Sequence, residues 1–284
     1  MYPRRRVLDR IQPGKAGFLS GLAAQTGLSR ADSMAMVRRQ KILIMALAIY
    51  WPAILILTHI PIPEVVRRAH MSDKSLHFLT YMILAFLSWS ALRPFEKAHW
   101  RRPITWWVLL AVLVYALCDE YLQHFVAGRS PDPSDLLANA VGALTGLAVT
   151  GFVSLWPGSL IVTGTTIYTL AVFTRANLTR LLPVTSTMLH LATYGLFTLL
   201  WISYTNASSP GAKGNRTWLL RSSIAPAVLL LVTKVSAIIS GKELEGWEIV
   251  AAASGIVAVV AIAALWRWFQ RRSAKRAGLS VAKA

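Results

Sequence analysis

The stretch ITWWVLLAVLVYALCDEYLQHFV, residues 104–126, decides the fold class of this chain. Its residues up to Cys118 include no charged side chain, and the run is then broken by Asp119, Glu120, Gln123 and His124. A helix that crosses the hydrocarbon core of a bilayer needs about 20 mostly apolar residues. The stretch therefore predicts a membrane-spanning helix whose last turns contain two adjacent acids.

Seven further apolar runs occur along the chain. The six clear ones are residues 42–60, 76–92, 136–156, 188–204, 224–240 and 247–269. The seventh run, residues 160–173, is short and Thr-rich, so hydropathy alone gives it little support as a membrane span. We predict an all-α polytopic membrane protein with about eight transmembrane helices.

The amino-acid composition favours the same class. Of the 284 residues, 55% are hydrophobic and only 15% are charged, whereas soluble domains usually have about 25% charged residues. This deficit excludes an ordinary soluble enzyme. The single cysteine, Cys118, excludes an intramolecular disulfide framework. We expect no cofactor.

The distribution of charge predicts the orientation in the membrane. The net charge is +18, from 30 Lys and Arg against 12 Asp and Glu. If the N-terminus lies inside, the cytoplasmic segments contain 22 Lys and Arg and the outer loops contain 7, while acids such as Glu248 fall in the outer loops. By the positive-inside rule, we predict an inner (plasma) membrane protein with both termini in the cytoplasm. The basic excess is then a topology signal, so the expected partners are membrane lipids and no nucleic acid.

An internal repeat is visible in the sequence. Residues 72–81 resemble residues 185–194, with Leu, His, Thr and Tyr matching at a constant offset of 113 positions. The same offset places Gly142 on Gly255. Such self-similarity is common in membrane proteins built from repeated helix groups.

The repeat predicts the domain organisation. Two parallel four-helix units, residues 42–156 and 157–270, would lie between a basic N-terminal segment, residues 1–41, and a basic tail, residues 271–284. The second unit replaces both acids of the third helix, with Val232 and Thr233 at the equivalent positions, and loses most of the other polar groups. We therefore expect the site in the first unit.

The polar residues of the first unit are the candidate functional residues. Charged groups inside a membrane are costly, by roughly 2.5–3.5 kcal/mol at the centre of the bilayer, and they usually mark a functional site. We predict an outward-facing polar pocket in which Asp119, Glu120 and His77 are catalytic. The predicted ligand-binding residues are Lys74, Gln123, Arg129, Asp135, Asn139 and Asp73.

These residues also resemble the pattern of a known family. They occur in the order Asp73-Lys74-x-x-His77-Phe78-x-x-Tyr81, Asp119-Glu120-x-x-Gln123, Arg129, Asp135-x-x-x-Asn139-x-x-Gly142. This order, over residues 42–156, is similar to that of the VanZ-like family of bacterial membrane proteins, and residues 157–270 resemble a degenerate second unit. The family is named after a protein that confers low-level teicoplanin resistance. The resemblance implies a role in the cell envelope or in glycopeptide resistance.

Several functions remain open at this point. The site could bind or modify an envelope lipid or glycopeptide, with Lys74 and Arg129 holding an anionic group and His77 or His124 moving protons. It could be a metal site of His77, Asp119, Glu120 and His124, although no recognised metal motif is complete. The helices could instead form a transport or flippase path for a lipid. The polar groups could also be structural contacts between helices of a scaffold without catalysis.

Overall fold

The computed structural model describes residues 30–59, 73–126, 132–173, 183–208, 215–242 and 245–276. Over these residues the chain forms eight α-helices and no β-strand. The helices are α1 (Arg30–His59), α2 (Asp73–Leu92), α3 (Pro103–Gln123), α4 (Pro133–Phe152), α5 (Leu155–Phe173), α6 (Pro183–Ser208), α7 (Asn215–Ile239) and α8 (Gly246–Arg276). The prediction of an all-α polytopic protein is confirmed.

Seven of these eight helices are long and apolar enough to cross a membrane. One of the seven is α5, the helix that contains the short Thr-rich run. The exception is α6, which has 26 residues. Its first half contains Thr185, Ser186, Thr187, His190 and Thr193, and these polar side chains lower its mean hydropathy.

The first four helices pack around α2. Its closest neighbour is α4, and α1 and α3 lie beside it. The close approach of α2 and α4 depends on two glycines, because a Cβ atom at Gly142 or Gly146 would overlap the carbonyl oxygen of Phe78 or Met82, respectively. The buried core of this group is apolar along most of its length and includes Leu84, Ala85, Trp89, Val108, Val112, Ala143 and Leu147.

The last four helices pack in the same order. The closest pair is α6 with α8, and here a Cβ atom at Gly255 would overlap the carbonyl oxygen of Leu191. The two groups of helices meet where α5 contacts α2 and α4. Phe86 of the first group and Val162 of α5 are buried together at this contact.

The helix ends follow from local sequence. Pro103 and Pro133 begin α3 and α4, where a missing backbone N–H costs nothing. Asp132 caps α4 by accepting a hydrogen bond from the backbone N–H of Ser134 at 2.8 Å. Gly241 ends the turn after α7 with φ of 75°, a backbone conformation that L side chains rarely adopt.

Candidate functional site

Asp119 is the most deeply placed acid of the predicted site. Its side chain is 0% exposed, near the end of α3. Thr58 donates a hydrogen bond to its Oδ1 at 2.7 Å, while Gln123 and Tyr81 donate to its Oδ2 at 3.0 and 3.3 Å. Helices α1, α2 and α3 therefore meet at this carboxylate.

Two residues of this group were missed from the sequence. Thr58 and His59 lie at the end of α1, and His59 Nδ1 is 3.8 Å from Asp119 Oδ1. The sequence feature that could have indicated them is a polar pair at the end of the first apolar run, at the membrane face where α3 also ends. Sequence spacing could not show that α1 reaches α3, because no motif links residues about 60 positions apart.

Glu120 joins α3 to the beginning of α4. It is 7% exposed, and its Oε1 accepts a hydrogen bond from the backbone N–H of Asp132 at 2.9 Å. Its second oxygen, Oε2, is buried and has no hydrogen-bond partner within the part of the chain that the structure describes. A buried carboxylate oxygen without a donor costs free energy, so this atom is available to a ligand that brings one.

His77, Asn139 and Asp135 form a second polar group, between α2 and α4. His77 Nδ1 lies 3.0 Å from Asn139 Oδ1, and because this amide oxygen can only accept, Nδ1 is the donor. The other ring nitrogen, Nε2, lies 3.8 Å from Asp135 Oδ2. All three side chains are buried. His77 therefore contacts α4 rather than the adjacent acids of α3.

Together these residues form one layer at one end of the first four helices. We call it the polar layer; it consists of Thr58, His59, His77, Tyr81, Asp119, Glu120, Gln123, Asp135 and Asn139. Tyr81 is one helical turn from His77 on α2 and so connects the two groups. Within the described residues, no Lys or Arg forms an ion pair with Asp119 or Glu120.

The predicted basic residues are placed differently. Lys74 is exposed in the first turn of α2. Hydrogen bonding from Ser134 lowers the pKa of the Asp132 carboxyl, and the charge of Lys74 adds to this effect. Arg129 and the side chain of Asp73 lie outside the described residues. His124 is exposed at the end of α3, against the ring of Phe125.

The metal alternative finds no support in the described ranges. No group of three or more His, Cys, Asp or Glu side chains there is arranged to hold a metal ion. His124 lies outside the polar layer, and His77 contacts Asn139 and Asp135. The four residues of the predicted metal site therefore do not lie around one common point.

The second group of helices contains a buried ion pair that the sequence did not reveal. Lys234 on α7 donates to Glu248 Oε2 on α8, and His190 Nε2 lies 4.0 Å from the same oxygen. Lys234 is 8% exposed. Placing Glu248 in an outer loop was wrong, because α8 begins at Gly246 and includes it.

Similar contacts occur at positions separated by the repeat offset. His190 faces Glu248 as His77 faces Asp135, and all four positions agree with an offset of 113. The hydroxyl of Tyr194, the equivalent of Tyr81, lies 2.6 Å from Thr233 Oγ1, one position beyond Val232, the equivalent of Asp119. The second group therefore has its own polar contacts, but Val232 and Thr233 stand in place of the acids of α3, and the charged groups are Lys234 and Glu248.

Comparison with known proteins finds a similarity for the first group of helices. The family model VanZ/LLP1 matches residues 28–154. No curated protein and no solved structure matches the chain. The matched residues include all of α1 to α4, and hence the whole polar layer. Residues 28–154 of this multi-pass membrane protein are therefore similar to the VanZ/LLP1 family.

Proposed function

We propose that the polar layer is a site that binds or modifies an envelope lipid or glycan, and that the protein acts in this way in the cell envelope or in glycopeptide resistance of the teicoplanin type. The observation that supports this most directly is the burial of Asp119 and Glu120 with no Lys or Arg partner in the described part of the chain. Buried acids in a membrane are costly and usually functional.

The two acids have different surroundings, which suggests different roles. Asp119 accepts three hydrogen bonds from side chains, so it is suited to hold the layer together and to position its neighbours. Glu120 Oε2 has no donor among the residues that the structure describes. It is the better candidate for a general base or for accepting a hydrogen bond from a hydroxyl or ammonium group of the ligand. His77, held by Asn139 and 3.8 Å from Asp135, would move a proton between Asp135 and the ligand.

The remaining predicted residues would surround this group. Gln123, Asp135 and Asn139 lie in the layer itself and can orient a polar ligand. Lys74, exposed in the first turn of α2 at the rim of the layer, would hold an anionic group together with Arg129, and Asp73 would bind a hydroxyl or ammonium group of the ligand. In the predicted orientation, with both termini in the cytoplasm, this rim faces the outside of the inner membrane.

The apolar core beneath the layer favours a binding site over a transport path. On α3, the buried residues before Asp119 are Ala116, Val112, Leu109 and Val108, with Thr105 at the far end. A path for a polar solute or headgroup would need polar groups along its length. The layer is instead closed on one side, which suits a pocket that opens to one membrane face.

The proposal is tested by Glu120→Gln. Glutamine keeps the volume and an oxygen that can accept the hydrogen bond from Asp132, so the variant removes only the charge and the basic oxygen. We expect membrane abundance to be unchanged and teicoplanin susceptibility to rise to that of a strain without the protein. Susceptibility and abundance in the membrane fraction are measured on the same cultures.

A matched pair of tyrosines provides the control. Tyr81→Phe removes the hydroxyl that contacts Asp119, whereas Tyr194→Phe removes the equivalent hydroxyl in the second group. We expect Tyr81→Phe to lower teicoplanin resistance and Tyr194→Phe to leave it unchanged. Wild-type resistance to teicoplanin in Glu120→Gln, at normal abundance, would refute the site. Loss of abundance in both Glu120→Gln and Tyr81→Phe would favour the structural scaffold.

We further propose that the chain is an internal duplication, with four-helix units at residues 42–156 and 157–270. The supporting observations are the offset of 113 shared by the contacts His77–Asp135 and His190–Glu248, and the glycine contacts made by Gly142 and Gly255. Four helices is an even number, so both units would enter the membrane in the same direction.

A further inference from the structure

A cavity of about 240 Å³ lies at the opposite end of the first four helices from the polar layer. It is bordered by the end of α2, the segment that leads to α3, and the junction between α4 and α5. Arg39 of α1 also lines it. In the predicted orientation this end faces the cytoplasm, so the cavity would lie at the inner surface of the membrane.

The cavity has an excess of positive charge. Arg39, Arg93 and Lys97 line it, and Glu96 is the one acidic residue in its described lining. Glu96 is already bound by Arg93 at 2.9 Å and by Arg102 at 2.6 Å, and these two cations hold its pKa below the usual range. Glu96 therefore stays ionised and neutralises one cation. Arg39 and Lys97 have no acidic partner among the described residues, and Lys97 Nζ donates to the carbonyl oxygen of Phe152 at 2.8 Å.

Its walls combine aromatic rings with hydroxyl groups. Trp89 and Trp156 line it, together with Ser90 and Ser154. The guanidinium of Arg39 lies 5.6 Å from the centroid of the Trp156 ring, which holds it at the cavity. Such a lining suits a ligand with a charged head and an apolar body, at the depth where tryptophan prefers to lie in a membrane.

A second basic and aromatic cavity lies at the same end of the other four helices. It has a volume of about 120 Å³ and is lined by Trp218, Arg267, Trp268 and Arg271, among others. The guanidinium of Arg267 lies 4.5 Å from the centroid of the Trp218 ring. The combination of arginine and tryptophan thus recurs at this end of the protein, as expected for contact with one anionic surface.

We propose that the cavity lined by Arg39, Arg93, Lys97 and Trp156 binds the phosphate of an anionic phospholipid from the inner leaflet. Arginine binds phosphate through paired charge-assisted hydrogen bonds, and basic pockets between membrane helices on the cytoplasmic side hold anionic headgroups. The aromatic walls contact the glycerol and the first part of the acyl chains. This site does not depend on the function of the polar layer, which lies at the other end.

The test is lipid binding by the full-length protein, measured by native mass spectrometry with phosphatidylglycerol or phosphatidylcholine added. We expect phosphatidylglycerol to bind more tightly, and R39Q to weaken it about tenfold through loss of one charge-assisted contact. The matched control is R38Q, which removes the same charge from an exposed neighbour that does not line the cavity. R38Q should bind phosphatidylglycerol as the wild type does.

Lys97→Gln is a second variant from a different element, and it should also weaken binding. Equal weakening in R38Q and R39Q would overturn the proposal, because it would show diffuse attraction to a basic surface. Equal affinity for the two lipids in the wild-type protein would overturn it as well. Displacement of phosphatidylglycerol by glycerol 3-phosphate would overturn the lipid as the source and assign the cavity to a soluble phosphate ester.

Discussion

Lys234→Met is expected to destabilise the protein by up to about 3 kcal/mol, because it removes the cation that is paired with the largely buried carboxylate of Glu248. Lys234 on α7 pairs with Glu248 on α8, and both lie inside the second group of helices. The free energy of unfolding in mixed detergent micelles, measured by titration with a denaturing detergent, would show the loss.

The double variant Lys234→Met with Glu248→Leu separates the ion pair from other effects. Replacing a whole buried ion pair by apolar residues is often neutral or stabilising, so most of the lost stability should return. The control is Lys41→Met, at an exposed position in α1, where a change within about 0.5 kcal/mol is expected. A single variant as stable as this control would show that the pair contributes little.

Gly142→Ala is expected to cost about 3 kcal/mol, although alanine is normally the better helix former. The reason is steric, since the added Cβ atom would overlap the carbonyl oxygen of Phe78 on α2. Backbone cannot move aside as a flexible side chain can, so α2 and α4 would have to separate. The same unfolding titration measures the effect.

Two other glycines make this prediction specific. Gly164→Ala in α5 is the control, because its Cβ atom would make only an ordinary contact with the ring of Phe197 at 3.5 Å. It should leave stability unchanged or raise it slightly. Gly255→Ala should cost as much as Gly142→Ala if the chain is a duplication. A stable Gly142→Ala variant would contradict the close packing of α2 on α4.

Only part of the candidate site could be predicted from the sequence. The cost of acids in a membrane identified Asp119 and Glu120, since that argument needs only hydropathy and charge. It could not find Thr58 as the closest donor to Asp119, because that contact depends on where α1 ends against α3. It also expected little from the second group of helices, where Lys234 and Glu248 are paired.

The sequence by itself determined the all-helical membrane architecture and the similarity of its first part to the VanZ-like family, because apolar run length and residue order are properties of the chain alone. The tertiary structure decided which polar groups are partners. A membrane helix must satisfy its buried polar side chains from neighbouring helices, and neighbours depend on packing. Gly142 lets α4 approach α2 closely enough for Asn139 to reach His77. Glu120 Oε1 accepts a hydrogen bond from the backbone of Asp132 because α4 begins there, whereas Oε2 meets no donor among the described residues.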